Sequence, residues 1–356
     1  MIDIAFWKGK KVFLTGHTGF KGSWISILLH KMGAEVTGFS LDPPTNPSIF
    51  EQAHVTNLIR DIRGDIRDEN ALSLALKQSK PDIVLHLAAQ AIVRESYINP
   101  IETYDINVLG TAKVLQAVRA VDSVRAVVCV TTDKCYENKE WLWGYREGEA
   151  LGGYDPYSSS KAGAELVSAS FRSSFFNLAD YGKRHQVALA TARAGNVIGG
   201  GDYAKDRLIP DIIRAFQRNE LVTIRSPESI RPWQHVLEPL HGYLLLAERL
   251  YGDSGYNYAE AWNFGPNDND AKPVLDIVRL MSERWPNSPG YAIEKQSATV
   301  HEARYLKLDI SKAKERLGWF PKWDLSVALQ KVVDWSLAPV ERAREITIEQ
   351  INAFLY

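Results

Sequence analysis

Short apolar runs alternate with stretches of helical periodicity through the first half of the chain. Five runs predict strands buried on both faces: Lys11–Thr15, Glu35–Ser40, Asp82–Ala88, Arg125–Thr131 and Val187–Arg193. The stretches between them predict helices near residues 20–32, 69–79, 100–120 and 156–176. Strands separated by helices are typical of βαβ units with right-handed crossovers. The pattern therefore predicts an α/β fold, a doubly wound parallel sheet of Rossmann type.

After about residue 193 the periodicity loosens into Gly-, Pro- and Asp-rich stretches between short helices. The predicted division is a Rossmann domain over 1–192 with a returning segment near 231–265, a smaller interleaved substrate lobe over 193–230 and 266–340, and a C-terminal helix over 341–356. Open parallel sheets bind ligands at the carboxyl ends of their strands. We therefore look for chemistry at those ends.

The composition excludes several classes of partner. The 356 residues include 42 Lys and Arg against 43 Asp and Glu, so no net field attracts nucleic acid or an anionic membrane. No apolar run approaches the ~20 residues that span a bilayer. Cys129 and Cys135 offer neither a disulfide framework nor a zinc spacing. We expect a reduced, cytoplasmic protein without a metal site.

A glycine-rich loop follows the first predicted strand, with the sequence TGHTGFKGSW. Gly16, Gly19 and Gly22 allow a tight turn, close approach of a pyrophosphate and close packing of the next helix. Phe20 opens that helix, whose N-terminal amides bind anions. The loop predicts a dinucleotide site; the alternative is a tight βα turn without ligand. His17 either crowds or contacts a phosphate.

The end of the second strand bears on the choice of cofactor. An acid usually binds the adenosine ribose there, but this chain has Ser40, with Asp42 two residues beyond. No Lys or Arg occurs between residues 37 and 50, so a 2′-phosphate would find no local cation. The pattern favours NAD over NADP. Asp65, in GDIRD, either meets the adenine or caps a loop.

Tyr157 and Lys161 lie four residues apart in YSSSK and share one face of a predicted helix. A tyrosine ionises near pH 10, so using it as a base near neutrality takes roughly 4 kcal/mol of selective phenolate stabilisation. A neighbouring ammonium together with an oxidised nicotinamide supplies that stabilisation. A simple surface pair is the alternative when the motif stands alone.

These motifs, together with Thr132 directly after the predicted strand Arg125–Thr131, resemble the extended short-chain dehydrogenase/reductase family over nearly the whole chain. LHLAAQ (85–90), NVLGT (107–111) and ARAGNVIGGGD (192–202) also fit it. The resemblance implies that Thr132 binds a sugar hydroxyl, Tyr157 takes its proton, and Lys161 tunes Tyr157 and holds the nicotinamide ribose. Tyr157 and Lys161 are thus cofactor contacts as well. The further cofactor contacts that it implies are Ile66, Leu87, Ala88, Ala89 and Asn107. It also implies a homodimer or homotetramer, paired through helices near 100–120 and 156–176.

TTDKCYEN, DPYSSSKA and RPWQHV resemble more narrowly the nucleoside-diphosphate-hexose 4,6-dehydratases, and among them those that act on CDP-glucose. These enzymes place an acid–acid pair after the threonine, whereas this chain has Asp133 and Lys134. The resemblance implies C4 oxidation, loss of water across C5–C6 and hydride return to C6. Asp133 is then the acid that protonates the leaving hydroxyl. Lys134 is either the base or a group that tunes Asp133, and an idle ion pair is the alternative for both.

A sugar diphosphate needs local cations. By the same resemblance we expect Asn196, Arg207, Arg231 and Arg304 to bind the substrate, since guanidinium groups suit bidentate phosphate contacts. Two other functions are alternatives: a sugar 4-epimerase of the same fold, and a non-catalytic cofactor sensor. Sensors of this kind typically lose the tyrosine or the lysine, and this chain keeps both.

Overall fold

The structure is a computed structural model that describes residues 2–294 and 304–356 and has a parallel sheet at its centre. The strands are β1 Lys11–Thr15, β2 Glu35–Ser40, β3 Arg60–Arg63, β4 Ile83–His86, β5 Ala126–Val130, β6 Ala188–Ala194, β7 Asn196–Ile198, β8 Val222–Ile224, β9 Ile230–His235, β10 Ala261–Phe264, β11 Ala271–Pro273 and β12 Tyr291–Ile293. Within the described residues, seven of them form one sheet in the order β10-β6-β5-β4-β1-β2-β3, and every neighbouring pair is parallel. The predicted fold class is confirmed. β10, which lies within the segment near 231–265, forms the edge of this sheet beside β6.

Helices cover both faces of the sheet and the end of the chain. They are α1 Ile4–Trp7, α2 Phe20–Lys31, α3 Ile49–Gln52, α4 Glu69–Ser79, α5 Val93–Ile98, α6 Pro100–Tyr104, α7 Gly110–Val118, α8 Pro156–Ser174, α9 Leu208–Gln217, α10 Leu237–Tyr251, α11 Val274–Arg284, α12 Leu325–Leu337 and α13 Ala343–Leu355. No helix among the described residues is long and apolar enough to cross a membrane.

The apolar strands are continuous because both faces of the sheet are covered. Side chains of successive residues point to opposite faces, so Phe13 and Leu14 enter different cores. Val127 and Val128 divide in the same way on β5. The first core packs against α2 and α10, and the second packs against α4 and α7.

The predicted helix over 100–120 is present but changes its winding at residues Asp105–Leu109, which form a π turn. The Asn107 carboxamide accepts a hydrogen bond from Gln90 N–H (2.9 Å) and donates to the Gln90 carbonyl (3.0 Å) and to Ser160 Oγ (2.8 Å). π turns inside helices are frequent at functional sites. Here the widened turn ties the segment after β4 to α8.

A second group of elements lies beyond the carboxyl end of β6. β7 begins two residues after β6 ends and pairs with β9, which also pairs with β11. The helices α9, α11 and α12 form a separate core together with β9, and this core includes Ile212, Trp233, Ile277 and Leu329. The assignment of residues 193–230 and 266–340 to a substrate lobe stays a prediction.

Candidate active site

The glycine loop between β1 and α2 is built so that two positions admit no side chain. A Cβ on Gly16, whose φ is 77°, would lie 2.6 Å from Ala88 N, and one on Gly22 would lie 2.0 Å from Gly16 O. Gly19 caps α2 without a side-chain hydrogen bond from any described residue. The first amides of α2, starting at Phe20, therefore stay open to an anion. This cradle fits the pyrophosphate of NAD.

His17 is turned into the protein. Its imidazole is buried, with Nε2 2.7 Å from Asp61 Oδ1. The ring fills the space beside Gly38, where a Cβ would lie 2.4 Å from His17 Cγ. Burial lowers the pKa of His17, and the hydrogen bond with Asp61 opposes that change. Ser40 lies nearby, its Oγ 2.9 Å from Thr18 Oγ1. We therefore see His17 as part of the wall under the loop.

The region expected to bind adenosine contains two arginines. Arg67 donates two hydrogen bonds to the Asp65 carboxylate, one from its backbone N (2.8 Å) and one from its guanidinium Nη2 (2.6 Å). These hydrogen bonds lower the pKa of Asp65, and the geometry matches the loop-capping alternative. Arg63 reaches the end of β2 from β3 and pairs with Asp61 (2.9 Å) and Asp42 (3.5 Å). A cation is thus present near residues 37–50, although it is paired.

The remaining cofactor candidates lie directly after β4 or between β3 and α4. Thr15 Oγ1 accepts from the backbone N–H groups of Leu87 and Ala88, at 3.2 Å each, and Ala89 continues that segment. Ile66 is buried against Gly110. These contacts hold the segment after β4 beside the glycine loop, which is the arrangement that a bound dinucleotide requires.

The end of β5 carries the first group of catalytic candidates. Thr132 caps a 3₁₀ turn over Asp133–Cys135, and its Oγ1 donates to Asp133 Oδ1 at 3.0 Å. Asp133 is 1% exposed, and its Oδ2 has no hydrogen-bond partner in the described part of the chain. Burial raises the pKa of Asp133, while the charges of Lys134, Arg231 and Lys21 oppose the rise. A buried carboxyl of this kind is suited to donating a proton.

Helix α8 brings the second group to the same place. Asp155 caps this helix by accepting from Ser158 N at 2.8 Å. Burial raises the pKa of Tyr157 to about 12, against the opposing hydrogen bond with Thr132 and the charge of Arg207. Burial lowers the pKa of Lys161 to about 8, and its Nζ donates to the Val130 carbonyl at 3.4 Å. The structure thus brings Thr132, Tyr157 and Lys161 together at the end of β5.

Lys21 is a member of this cluster that the motifs did not indicate. Burial lowers its pKa to about 7, with repulsion from Arg207 and Lys161, while Asp133 and Asp202 oppose the change. A signal was available in the sequence. A cation in the first turn of a helix opposes the helix dipole, so Lys21 at the second position of α2 indicates an anion nearby.

The four substrate candidates have different surroundings. Arg207 Nη1 lies 3.1 Å from Asp202 Oδ2. Arg231 is buried, and its Nη1 donates to the Ile230 carbonyl at 2.8 Å. Both arginines act electrostatically on the cluster, Arg207 on Tyr157 and Arg231 on Asp133.

The other two substrate candidates are Asn196 and Arg304. Asn196 begins β7 and is paired in register with Trp233. The Arg304 side chain is 72% exposed and lies 3.6 Å from Glu228. The structure thus connects Arg207 and Arg231 with the catalytic candidates, and it leaves Arg304 on the surface.

The two cysteines are buried free thiols. Burial raises the pKa of Cys129 to about 12 and the pKa of Cys135 well above its usual range. Among residues 2–294 and 304–356, no group of three or more His, Cys, Asp or Glu side chains is arranged to hold a metal ion.

Comparison with known proteins identifies a family and a close relative. The family model described as GDP-mannose 4,6 dehydratase matches residues 13–332. A protein of Salmonella typhimurium strain LT2, named CDP-glucose 4,6-dehydratase, is 56% identical over 338 residues, which are 95% of this chain and 93% of that protein.

Solved structures agree on the fold. The structure of MoeE5 in complex with UDP-glucose and NAD has a TM-score of 0.75 at 26% identity, covering 92% of this chain and 98% of that chain. A UDP-glucose 4-epimerase of Thermotoga maritima, solved with UDP-glucose, has a TM-score of 0.77 at 22% identity, covering 91% of this chain and 97% of that chain. The second likeness shows the fold alone.

Proposed function

The chain belongs to the GDP-mannose 4,6-dehydratase family of extended short-chain dehydrogenases/reductases, and from this membership we propose that it converts CDP-glucose to CDP-4-keto-6-deoxyglucose. It is an NAD-dependent nucleotide-sugar 4,6-dehydratase, a hydro-lyase. Bound NAD would supply the acceptor for the C4 hydride and, after water has left, the donor of that hydride to C6, a step in which C5 regains a proton.

The first half of the reaction belongs to Thr132, Tyr157 and Lys161. We assign Thr132 Oγ1 to binding the C4 hydroxyl and Tyr157 Oη to taking its proton. The buried Lys161 ammonium supplies positive charge close to that proton transfer. These assignments are supported by the burial of the three side chains around the end of β5.

The second half is the loss of water across C5–C6. Asp133, whose carboxyl is favoured in its protonated form, donates a proton to the C6 hydroxyl as a base removes the C5 proton. Lys134 is that base in its neutral form, or it tunes Asp133. We place Lys21, Arg207 and Arg231 around the substrate diphosphate, with Asn196 beside them. Arg304 enters this set as the outermost candidate.

One observation supports dehydration over epimerisation. Asp133 is buried directly beside Thr132, and its Oδ2 lacks a partner in the described part of the chain. Unpaired buried carboxyl oxygens are costly and rare, and a 4-epimerase has no use for an acid at this place.

The test is to mix the purified protein with CDP-glucose and NAD and to determine the mass and the C4 configuration of the sugar product. We expect the loss of one water. An unchanged mass with inverted C4 would instead indicate a 4-epimerase, and no turnover would contradict both. GDP-mannose, the substrate in the family's name, serves as the comparison substrate and should react far more slowly.

We further propose a cytoplasmic homodimer. Ile101 of α6 is 79% exposed, and Leu109 and Leu166 are exposed as well. These side chains lie on the helices that pair in related enzymes, so a four-helix bundle would cover them. Light scattering should give twice the monomer mass, and Leu166→Glu should reduce it; four times the mass would indicate the tetramer.

The buried free thiols suit a reducing compartment.

A further inference from the structure

Beneath the catalytic cluster, a buried carboxylate joins three elements of the fold. Glu165 lies on α8, one turn after Lys161, and it is buried. Its Oε1 accepts from Thr131 Oγ1 (2.5 Å) and Arg193 Nε (2.9 Å). Its Oε2 accepts from Thr191 Oγ1 (2.7 Å) and Arg193 Nη2 (2.9 Å). One carboxylate thus connects α8 with the ends of both β5 and β6.

The other side of Arg193 reaches the segment after the 3₁₀ turn Asp133–Cys135. Arg193 Nη1 donates to Tyr136 Oη at 2.8 Å and to the Glu147 carbonyl at 3.0 Å. Tyr136 Oη in turn donates to Asn263 Oδ1 on β10 at 2.7 Å. The segment that begins with Asp133 is therefore fixed to the sheet through Arg193.

The ion pair between Glu165 and Arg193 is charged, and its polar atoms have hydrogen-bond partners. In the described residues, no side-chain polar atom of Glu165, Arg193, Tyr136 or Asn263 lacks a partner. Burial alone would raise the pKa of Glu165, but Arg193 and the threonine hydroxyls outweigh it, so the pKa is lowered. Fork-to-fork contacts between arginine and carboxylate fix orientation as well as distance.

We propose that Glu165 and Arg193 are positioning residues for both halves of the reaction. The Glu165 arm, by which we mean the hydrogen bonds that Glu165 accepts, fixes α8 against the end of β5. It therefore fixes Tyr157 against Thr132. The Arg193 arm, the hydrogen bonds that Arg193 donates to Tyr136 and Glu147, fixes the turn that carries Asp133. The inference rests on the proposed function, because it concerns the alignment of groups that oxidise and dehydrate the sugar.

The first test separates positioning from stability. Glu165→Gln and Arg193→Met each leave a buried partner uncompensated and should lower the Tm strongly. The double variant removes both charges, so its Tm should recover most of the loss. We expect its kcat to stay at least ten-fold below the parental value, with KM for CDP-glucose within two-fold. A double variant with parental kcat would show that the pair is only structural.

A matched control is available in Lys312, which pairs with Glu260 at 2.6 Å outside the site. Lys312→Met should lower the Tm and keep the parental kcat. If the control loses as much kcat as the double variant, the loss reports general destabilisation and the proposal is overturned.

The second test cuts one arm only. Tyr136→Phe removes the hydroxyl between Arg193 and Asn263 and should fold. In single turnovers with excess enzyme, we expect the absorbance of reduced cofactor to rise at the parental rate and water loss to slow at least five-fold. Parental rates for both steps would contradict the Arg193 arm. A parental protein that does not dehydrate CDP-glucose would instead contradict the proposed function.

Discussion

Two groups of buried charge share helix α8, and they differ in how completely their polar atoms are paired. Around Glu165 and Arg193, the described residues leave no side-chain oxygen or nitrogen without a partner. Around Asp133, the described residues leave Oδ2 unpaired, and the Lys161 ammonium has one long contact of 3.4 Å. The paired group holds the fold together, whereas the unpaired group keeps its atoms for a ligand.

The pKa directions express the same difference as free energy. The surroundings of Glu165 favour its charged form, so that group stabilises the fold. The surroundings of Asp133 and Lys161 disfavour their charged forms, because burial removes water from both. We expect substitutions in the unpaired group to lower activity while leaving stability equal or higher.

The largest effect should come from Tyr157→Phe, which removes the phenol oxygen that lies beside the unpaired group and hydrogen-bonds with Thr132. Turnover should fall about 10⁴-fold, the upper range for a general base, and the Tm should not fall. Steady-state kinetics and thermal unfolding check both. Tyr203→Phe loses a hydrogen bond to Gln52 elsewhere and should keep the parental kcat. Reduced cofactor appearing at an unaltered rate in Tyr157→Phe would break the comparison.

Asp133→Asn should slow water loss about 10³-fold and leave C4 oxidation in place. Since burial raises the pKa of Asp133, its ionised form costs stability at neutral pH, and the cost disappears in acid as both states become protonated. The variant should therefore unfold at higher urea than the parent at pH 7 but not in acid. Dehydration at the parental rate would refute the acid assignment.

Lys161→Met should stabilise the protein while lowering its turnover. The fall of the Lys161 pKa from 10.5 to about 8 corresponds to roughly 3 kcal/mol of stability that the parent lacks at neutral pH. The difference should be full below pH 8 and shrink as the pH rises toward 10.5. Urea unfolding at several pH values measures it, with exposed Lys31→Met as the control. A less stable Lys161→Met would contradict the distinction between the two groups.

The smallest effect should come from Lys21→Met. The loss of one charge-assisted contact to a phosphate should raise the KM for CDP-glucose about ten-fold, which corresponds to ~1.4 kcal/mol. Lys31 lies on the same helix, so Lys31→Met is the control and should leave the KM unchanged. A parental KM in the Lys21 variant would remove Lys21 from the set that binds the diphosphate.

The central sheet was predictable because its strands are buried on both faces and are therefore continuous in sequence. The π turn at Asp105–Leu109 was not, since its cause is the contact of Asn107 with Gln90 and Ser160. Contacts that join distant segments leave no local periodicity to read.

Within the site, Thr132, Tyr157 and Lys161 were predictable because a strand end and a four-residue spacing place them. Glu165 and Arg193 were not, because α8 and β6 meet only in the folded chain. The Arg67 partner of Asp65 was readable, since it lies two residues away and favours the capping alternative.

Thr131 and Thr132 place the two groups of charge on opposite sides of one peptide unit. The hydroxyl of Thr131 binds Glu165, and the hydroxyl of Thr132 binds Asp133. Because neighbours in an extended chain point in opposite directions, losing a single residue from β5 would exchange these hydroxyls. The number of residues in β5 is therefore as tightly constrained as the identity of any side chain in the active site.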